Sequence, residues 1–254
     1  MMRRLAFVLL LTAALPLPAA DDPALDVRLV PRFGATLPAA TQWRDEHDRP
    51  VTFGALTQGH PTLLVLAYYH CPMLCPRTLQ NLAAILRGSG LEQQGLQVVA
   101  ASIDPNDTRS VAVAAHQTFQ DVAQFPPASV HFLTGPAQAS RALADAAGIH
   151  YSYDAEHGEY AHPAEYILLD EQGRVMRYLP AFATTRTDLR LALAEVEAGR
   201  ITSVLDHALL LCYAYDPVSG RYTLAIMALL RAAAIITVLA LLLLAWRLRR
   251  RDAP

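Results

Sequence analysis

The sequence predicts an α/β domain followed by a C-terminal transmembrane helix. Three observations carry that reading. Short apolar runs at 62–69, 96–103, 130–133 and 166–169 read as buried strands. Segments with helical apolar spacing at 77–87, 137–147 and 187–198 lie between or after them, and another starts near residue 107. Residues 224–246, LAIMALLRAAAIITVLALLLLAW, are long and apolar enough to cross ~30 Å of hydrocarbon. Alternating strands and helices imply an α/β sheet with right-handed crossovers.

The chain opens MMRRLAFVLLLTAALPLPAADDP. Arg3 and Arg4, the apolar stretch 5–14, and the small residues Ala19 and Ala20 have the grammar of a secretory signal over 1–20, either cleaved or kept as an anchor. Residues 21–40 are rich in proline and alanine and read as a flexible lead-in. The domain is expected over 41–200. It begins with TQWRDEHDRPVTFGAL, a polar turn at 45–49 between short strands.

The first central strand, TLLVLAYY at 62–69, is bounded by Gly59, Pro61 and a cysteine motif. The helix after it places Leu79, Leu82, Ala83 and Leu86 on one face, and Gly88-Ser89-Gly90 stops it. The second central strand, 96–103, leads into DPNDTRSV, where Asp107 or Thr108 would cap a helix running to about 120. A strand at 130–133, a turn at 134–136 and the helix 137–147 follow. The strand 166–169 then folds back through a turn at 171–173 onto an antiparallel partner at 174–179, and the helix 187–198 closes the domain.

Residues 201–223 would be a juxtamembrane segment, and Arg231 sits near enough to one end of the span to snorkel. The tail RLRRRDAP, 247–254, carries Arg247, Arg249, Arg250 and Arg251. By the positive-inside rule it is cytoplasmic, which puts the domain on the periplasmic face of a bacterial inner membrane. The formal net charge of −2 gives no reason to expect nucleic acid as a partner. No lysine occurs, which excludes lysine Schiff-base chemistry and a P-loop.

Three cysteines in an exported chain are too few for a disulfide scaffold. Cys212 stands before the span, behind Leu209, Leu210 and Leu211, and reads as a small apolar residue. Cys71 and Cys75 form a close pair that leaves the first central strand and opens a helix, where a thioredoxin-like fold keeps its redox centre. A helix N-terminus lowers a thiol pKa, and thiolate is both the nucleophile and the metal ligand. The pair therefore suits thiol–disulfide exchange, metal binding or a structural disulfide. Thioredoxin-type enzymes space such cysteines by two residues, and here there are three. A single pair is too little for a closed zinc site, whereas soft thiolates select Cu(I).

A third ligand would separate these readings. Of nine histidines, His162 stands out, in a loop directly before a predicted strand. His131, His150 and His157 are further candidates, and His70, beside Cys71, is expected to tune the site rather than bind.

Four blocks together resemble a known family. YYHCPMLCPRTL (68–79), ASIDPNDT (101–108), HFLTG (131–135) and HPAEYILLDEQGRV (162–175) are similar, in order and spacing, to motifs of the Sco/SenC proteins. Those are thioredoxin-fold copper chaperones of cytochrome oxidase assembly. The resemblance implies copper ligands at Cys71, Cys75 and His162, with copper held as Cu(I) or Cu(II). It also implies a periplasmic copper donor and, as acceptor, the copper-binding subunit of cytochrome oxidase. An alternative role for Cys71 and Cys75 is as a redox-active pair that reduces the acceptor's cysteines. A peroxidase role lacks its own signature. Two departures stand out. Met73 and Ala161 occupy positions that are often acidic in the family, which removes carboxylates from around the site.

Overall fold

The computed structural model describes residues 26–71, 75–198, 215–216, 221–222, 231, 233–239 and 241. The chain divides into two units, Met1–Arg200 and Ile201–Pro254. In the first unit the N-terminal elements are β1 (Arg28–Leu29), β2 (Gln42–Arg44), β3 (Pro50–Thr52) and the short helix α1 (Phe53–Thr57). Next come β4 (Thr62–Ala67), α2 (Cys75–Leu86), β5 (Gln97–Ser102), α3 (Arg109–Ala123), β6 (Val130–Leu133) and α4 (Ala137–Ala146). The remainder is β7 (Ile149–His150), β8 (Ser152–Asp154), β9 (Glu159–Ala161), β10 (Glu165–Leu169), β11 (Val175–Pro180) and α5 (Arg186–Glu197).

The main sheet has the order β11-β10-β4-β5-β6. β4, β5 and β6 are parallel, and β10 runs antiparallel to both β4 and β11. Leu63, Leu64 and Val65 are all fully buried. Both faces of the central strand are covered, which is why it reads as an unbroken apolar run rather than an alternating one. Tyr166 on β10 donates its hydroxyl to the Thr78 carbonyl of α2, and Phe119 of α3 packs edge-on against Phe132 of β6. Arg186 and Arg190 reach from α5 to the carbonyls of Ile85, Arg87 and Ser89, satisfying acceptors that the end of α2 leaves open.

The predicted central elements fall within a few residues of the observed ones. The N-terminal stretch differs from expectation. Residues 26–40 do not form a flexible lead-in: β1 pairs with β7, Leu37 donates its N–H to the Gly173 carbonyl, and its side chain is 3% exposed. The proline and alanine content concealed a few well-placed apolar residues that dock on the β10–β11 turn.

In the second unit, β12 (Tyr215–Asp216) pairs antiparallel with β13 (Arg221–Tyr222). Residues 231, 233–239 and 241 are helical and exposed. Among the described residues no helix is long and apolar enough to cross a membrane. The expected signal, Cys212, most of the expected span at 224–246 and the basic tail lie outside the described residues.

Candidate metal and thiol site

The parallel strand β4 delivers Tyr68, Tyr69, His70 and Cys71 in succession from its C-terminal end. Cys71 is buried, at 7% exposure. Cys75 is the first residue of α2, and its side chain lies outside the described residues. The cysteine motif therefore spans the step from the central strand to a helix N-terminus. There, unpaired backbone N–H groups favour a thiolate.

His162 arrives from the other direction. Ala161 ends the β8–β9 hairpin, and Tyr166 of β10 pairs with Val65 of β4. Because β10 is antiparallel to β4, the loop before it lies at the same end of the sheet as the cysteine motif. Cys71 acts electrostatically on the His162 imidazole. Burial pushes the His162 pKa down, and the Pro163 carbonyl and Cys71 offset this only in part. The ring is neutral at pH 7. Its Nδ1 lies 3.0 Å from the Pro163 carbonyl oxygen. A carbonyl can only accept, so Nδ1 carries the proton and Nε2 carries the lone pair, the tautomer in which a histidine ligates a metal.

A carboxylate that the sequence reading cast only as a helix cap anchors this end of β4. Asp107 Oδ2 accepts the Tyr69 backbone N–H at 2.8 Å and the Ser102 hydroxyl at 2.5 Å. Its Oδ1 meets His70 Nδ1 at 2.5 Å. Thr108 is the N-cap of α3, and its hydroxyl meets Ser110 instead of capping the helix. Asp104 Oδ2 lies 3.4 Å from His70 Nε2, so the ring is bracketed by two acids. The His70 ring is thus held by these two acids, directly before Cys71. Only the DPNDT stretch itself could have signalled the pairing.

Aromatic rings complete the surroundings. Tyr68 packs edge-on against His70 and against Tyr160 of the hairpin that leads to His162. A cleft of about 260 Å³, lined by Tyr68, His70, Pro76, Leu79, Val111 and Phe119 among others, opens beside the motif between α2 and α3. The other candidate histidines are used differently. His157 pairs with Asp154 within the β8–β9 turn, His150 lies on β7, and His131 sits on the edge strand β6 near Glu46.

The family model described as SCO1/SenC matches residues 38–195, more than half of the chain. The chain belongs to the SCO1/SenC family. Its match covers β4, the cysteine motif, DPNDT and the His162 loop together. No curated protein matches it significantly in sequence. A SCO1/SenC family lipoprotein from Bacillus anthracis is similar in structure, with 20% identity and a TM-score of 0.57 over 67% of this chain and 99% of that one. The copper-bound ScoI of Arabidopsis thaliana aligns at 19% identity and a TM-score of 0.53, over 66% and 99%. Copper-bound yeast Sco1 aligns at 19% and 0.51, over 68% and 94%. At these identities the likenesses establish the α/β thioredoxin-like fold of this SCO1/SenC chain.

Proposed function

We propose that this SCO1/SenC protein is a membrane-anchored copper chaperone that delivers copper to the binuclear copper site of cytochrome oxidase during assembly. The observation that carries the reading is a neutral His162, its lone pair on Nε2, in the loop at the end of the sheet where Cys71 leaves β4. A soft sulfur and an imidazole at one end of the sheet would suit Cu(I), and Cys75 would supply the second thiolate. Copper bound in the structurally similar Arabidopsis ScoI and yeast Sco1 supports the choice of metal.

Copper is cargo here, so the site must release it as well as hold it. Transfer is ligand exchange: a donor's thiolates give way to Cys71 and Cys75, and these give way in turn to the acceptor's ligands. Met73 and Ala161 stand where the family often carries acidic side chains, so those two carboxylates are missing from the motif. That lowers the negative charge facing Cu(II) more than it affects Cu(I), which thiolates hold by softness. Anchoring through 224–246, with the arginine tail in the cytoplasm, would keep the domain near its membrane acceptor and raise the effective concentration. A reporter fused after Pro254 should be active only on the cytoplasmic side.

The deciding experiment compares His162→Ala, Cys71→Ser and Cys75→Ser for Cu(I) affinity and for thiol–disulfide exchange. Exchange requires only two sulfurs and access. His162→Ala should therefore weaken copper binding while sparing exchange, and each cysteine variant should lose both. Full copper affinity in His162→Ala would overturn the three-ligand site. Loss of copper with normal oxidase assembly would favour the reductase role.

A further inference from the structure

The cleft between α2 and α3 starts at the thiol motif. His70, the residue before Cys71, and Pro76, the residue after Cys75, both line it. Its floor is apolar and aromatic, because Tyr68, Leu79 and Phe119 line it and are themselves buried.

The sequence of α3 explains why the space exists. Val111, Ala114, Ala115 and Thr118 recur at helical spacing and share one face, and that face lines the cleft. Two of these residues are alanines, whose side chains are too short to fill the gap to α2. The start of α3 is tied to the motif through Asp107, which bonds Tyr69 and His70. From Val111 to Phe119 the helix advances about 12 Å, at ~1.5 Å per residue. The cleft therefore leads away from the thiol end of the sheet along α3.

We propose that this cleft seats an uncharged, apolar side chain of the protein that exchanges thiols or copper with Cys71 and Cys75. The inference rests on the proposed role of that pair. Either route brings a partner's sulfur to the motif, to form an S–S bond or to share an ion. The residues flanking that sulfur must then lie across the neighbouring surface. In an extended segment, residues two apart share a face and stand roughly 6.5–7 Å from each other. A side chain two positions from the partner's cysteine thus falls within the length of the cleft.

The volume and lining say what fits. About 260 Å³ is below the roughly 300 Å³ at which pockets begin to take small-molecule ligands, and it suits one large side chain. Among the described residues no acid and no arginine lines the cleft, so a charged occupant would lose its water and gain no counter-ion. Leucine, methionine and phenylalanine meet these terms. Gln80 and Thr118, exposed at the rim, offer hydrogen bonds to the occupant's backbone.

Disulfide capture tests the proposal without copper. The full chain, in lipid nanodiscs, carries Cys212→Ser with either Cys71→Ser or Cys75→Ser, which leaves one thiol of the pair. The probes are the peptides Leu-Ser-Cys-Ser-Leu, Ser-Ser-Cys-Ser-Ser and Asp-Ser-Cys-Ser-Asp, each joined by a disulfide to 2-mercaptoethanol. The protein thiolate attacks the peptide sulfur, that disulfide breaks, and mercaptoethanol leaves as its thiolate; excess mercaptoethanol keeps the capture reversible. Intact-mass spectrometry reads the captured fraction. In at least one of the two variants the leucine peptide should be captured ~10-fold or more over the serine peptide, the scale of one buried apolar side chain. The aspartate peptide should be captured least. Ala114→Trp and the milder Ala114→Leu, fillers at an exposed position of α3, should remove the preference and leave the unfolding midpoint unchanged. Equal capture of the leucine and serine peptides by both variants, or a preference that survives both fillers, would overturn the inference. So would self-association of the chain that Ala114→Trp abolishes, since the occupant would then be a second copy. Cu(I) affinity of the chain with its cysteines intact is read separately. Its absence would count against the chaperone reading, while a peptide preference would still uphold the cleft.

Discussion

Asp107 and His70 meet at 2.5 Å, joining the residue before Cys71 to the residue before the α3 N-cap. With Tyr69 and Ser102 on its other oxygen, this one buried carboxylate fastens the exits of β4 and β5 to the start of α3. The Tyr69 hydroxyl adds bonds to the carbonyls of Ala100 and Leu133. Cys71 therefore leaves the sheet from a fixed point.

Asp107→Ala should cost about 2–4 kcal/mol, because it strands the buried Tyr69 N–H and leaves the Ser102 hydroxyl only its longer bond to the Asp104 carbonyl. Denaturant unfolding measures the loss, and faster reaction of Cys71 with a thiol reagent should accompany it. Asp107→Asn keeps an acceptor oxygen and should cost less. An unchanged unfolding midpoint in the alanine variant would show that the clamp contributes little.

Gly148→Ala should be among the most damaging small substitutions in the domain. Gly148 has φ +70°, and an added Cβ would lie 1.9 Å from the Val30 carbonyl oxygen. The same glycine accepts the Val30 N–H at 2.7 Å, so moving away would break the β1–β7 pairing. A non-glycine residue here meets both backbone strain and a backbone clash. A fall of more than ~2 kcal/mol, with exchange of the Val30 amide accelerated beyond its neighbours, is the expected result.

Thr185→Ala is a milder change that should leave the site alone. Thr185 and Asp188 form a reciprocal capping box at the start of α5, with the Thr185 N–H donating to Asp188 Oδ2 at 2.8 Å. Losing the cap should cost about 1 kcal/mol. Copper affinity should match wild type. A change in affinity would mean that α5 is coupled to the cysteine loop through Arg186 and α2.

The core of the fold was legible in the sequence because its strands are buried on both faces and its helices repeat at helical spacing. Leu63 to Val65 and the Leu79–Leu82–Leu86 face required no tertiary information. The β8–β9 hairpin was not legible, since Ser152, Tyr153 and Asp154 are not buried and three residues are too few to show a period. Cys71 and His162 could be named as candidates from motif and position. Of the two cap candidates Thr108 holds the N-cap position, and Asp107 turned elsewhere because its partners lie five residues back or just beyond β4, where local sequence cannot show them. Glu46 and His131 are 85 positions apart in sequence, and only the edge pairing beside β6 joins them.

Glu165→Gln should stabilise the protein in a pH-dependent way. Glu165 opens β10 with Oε2 buried and unpaired, and burial pushes its carboxyl from 4.5 to about 7. Below pH 4.5 it is protonated in both folded and unfolded chains and makes no difference. As pH rises from 4.5 toward 7, the unfolded chain releases the proton while the folded one retains it, so folding loses stability across that window. Above 7 the folded carboxyl ionises as well and the loss levels off at roughly 3 kcal/mol. Glutamine has the shape of the protonated acid and no such cost. Histidines with depressed pKa values, His116 and His131 among them, act in the opposite sense, removing stability as pH falls below 6.5. They are common to both proteins and cancel in the difference. The measurement is therefore variant minus wild type, from unfolding midpoints at pH 4.5, 6 and 8. The difference should be near zero at the first, intermediate at the second and full at the third. A difference independent of pH would mean that Glu165 is not held protonated by its burial.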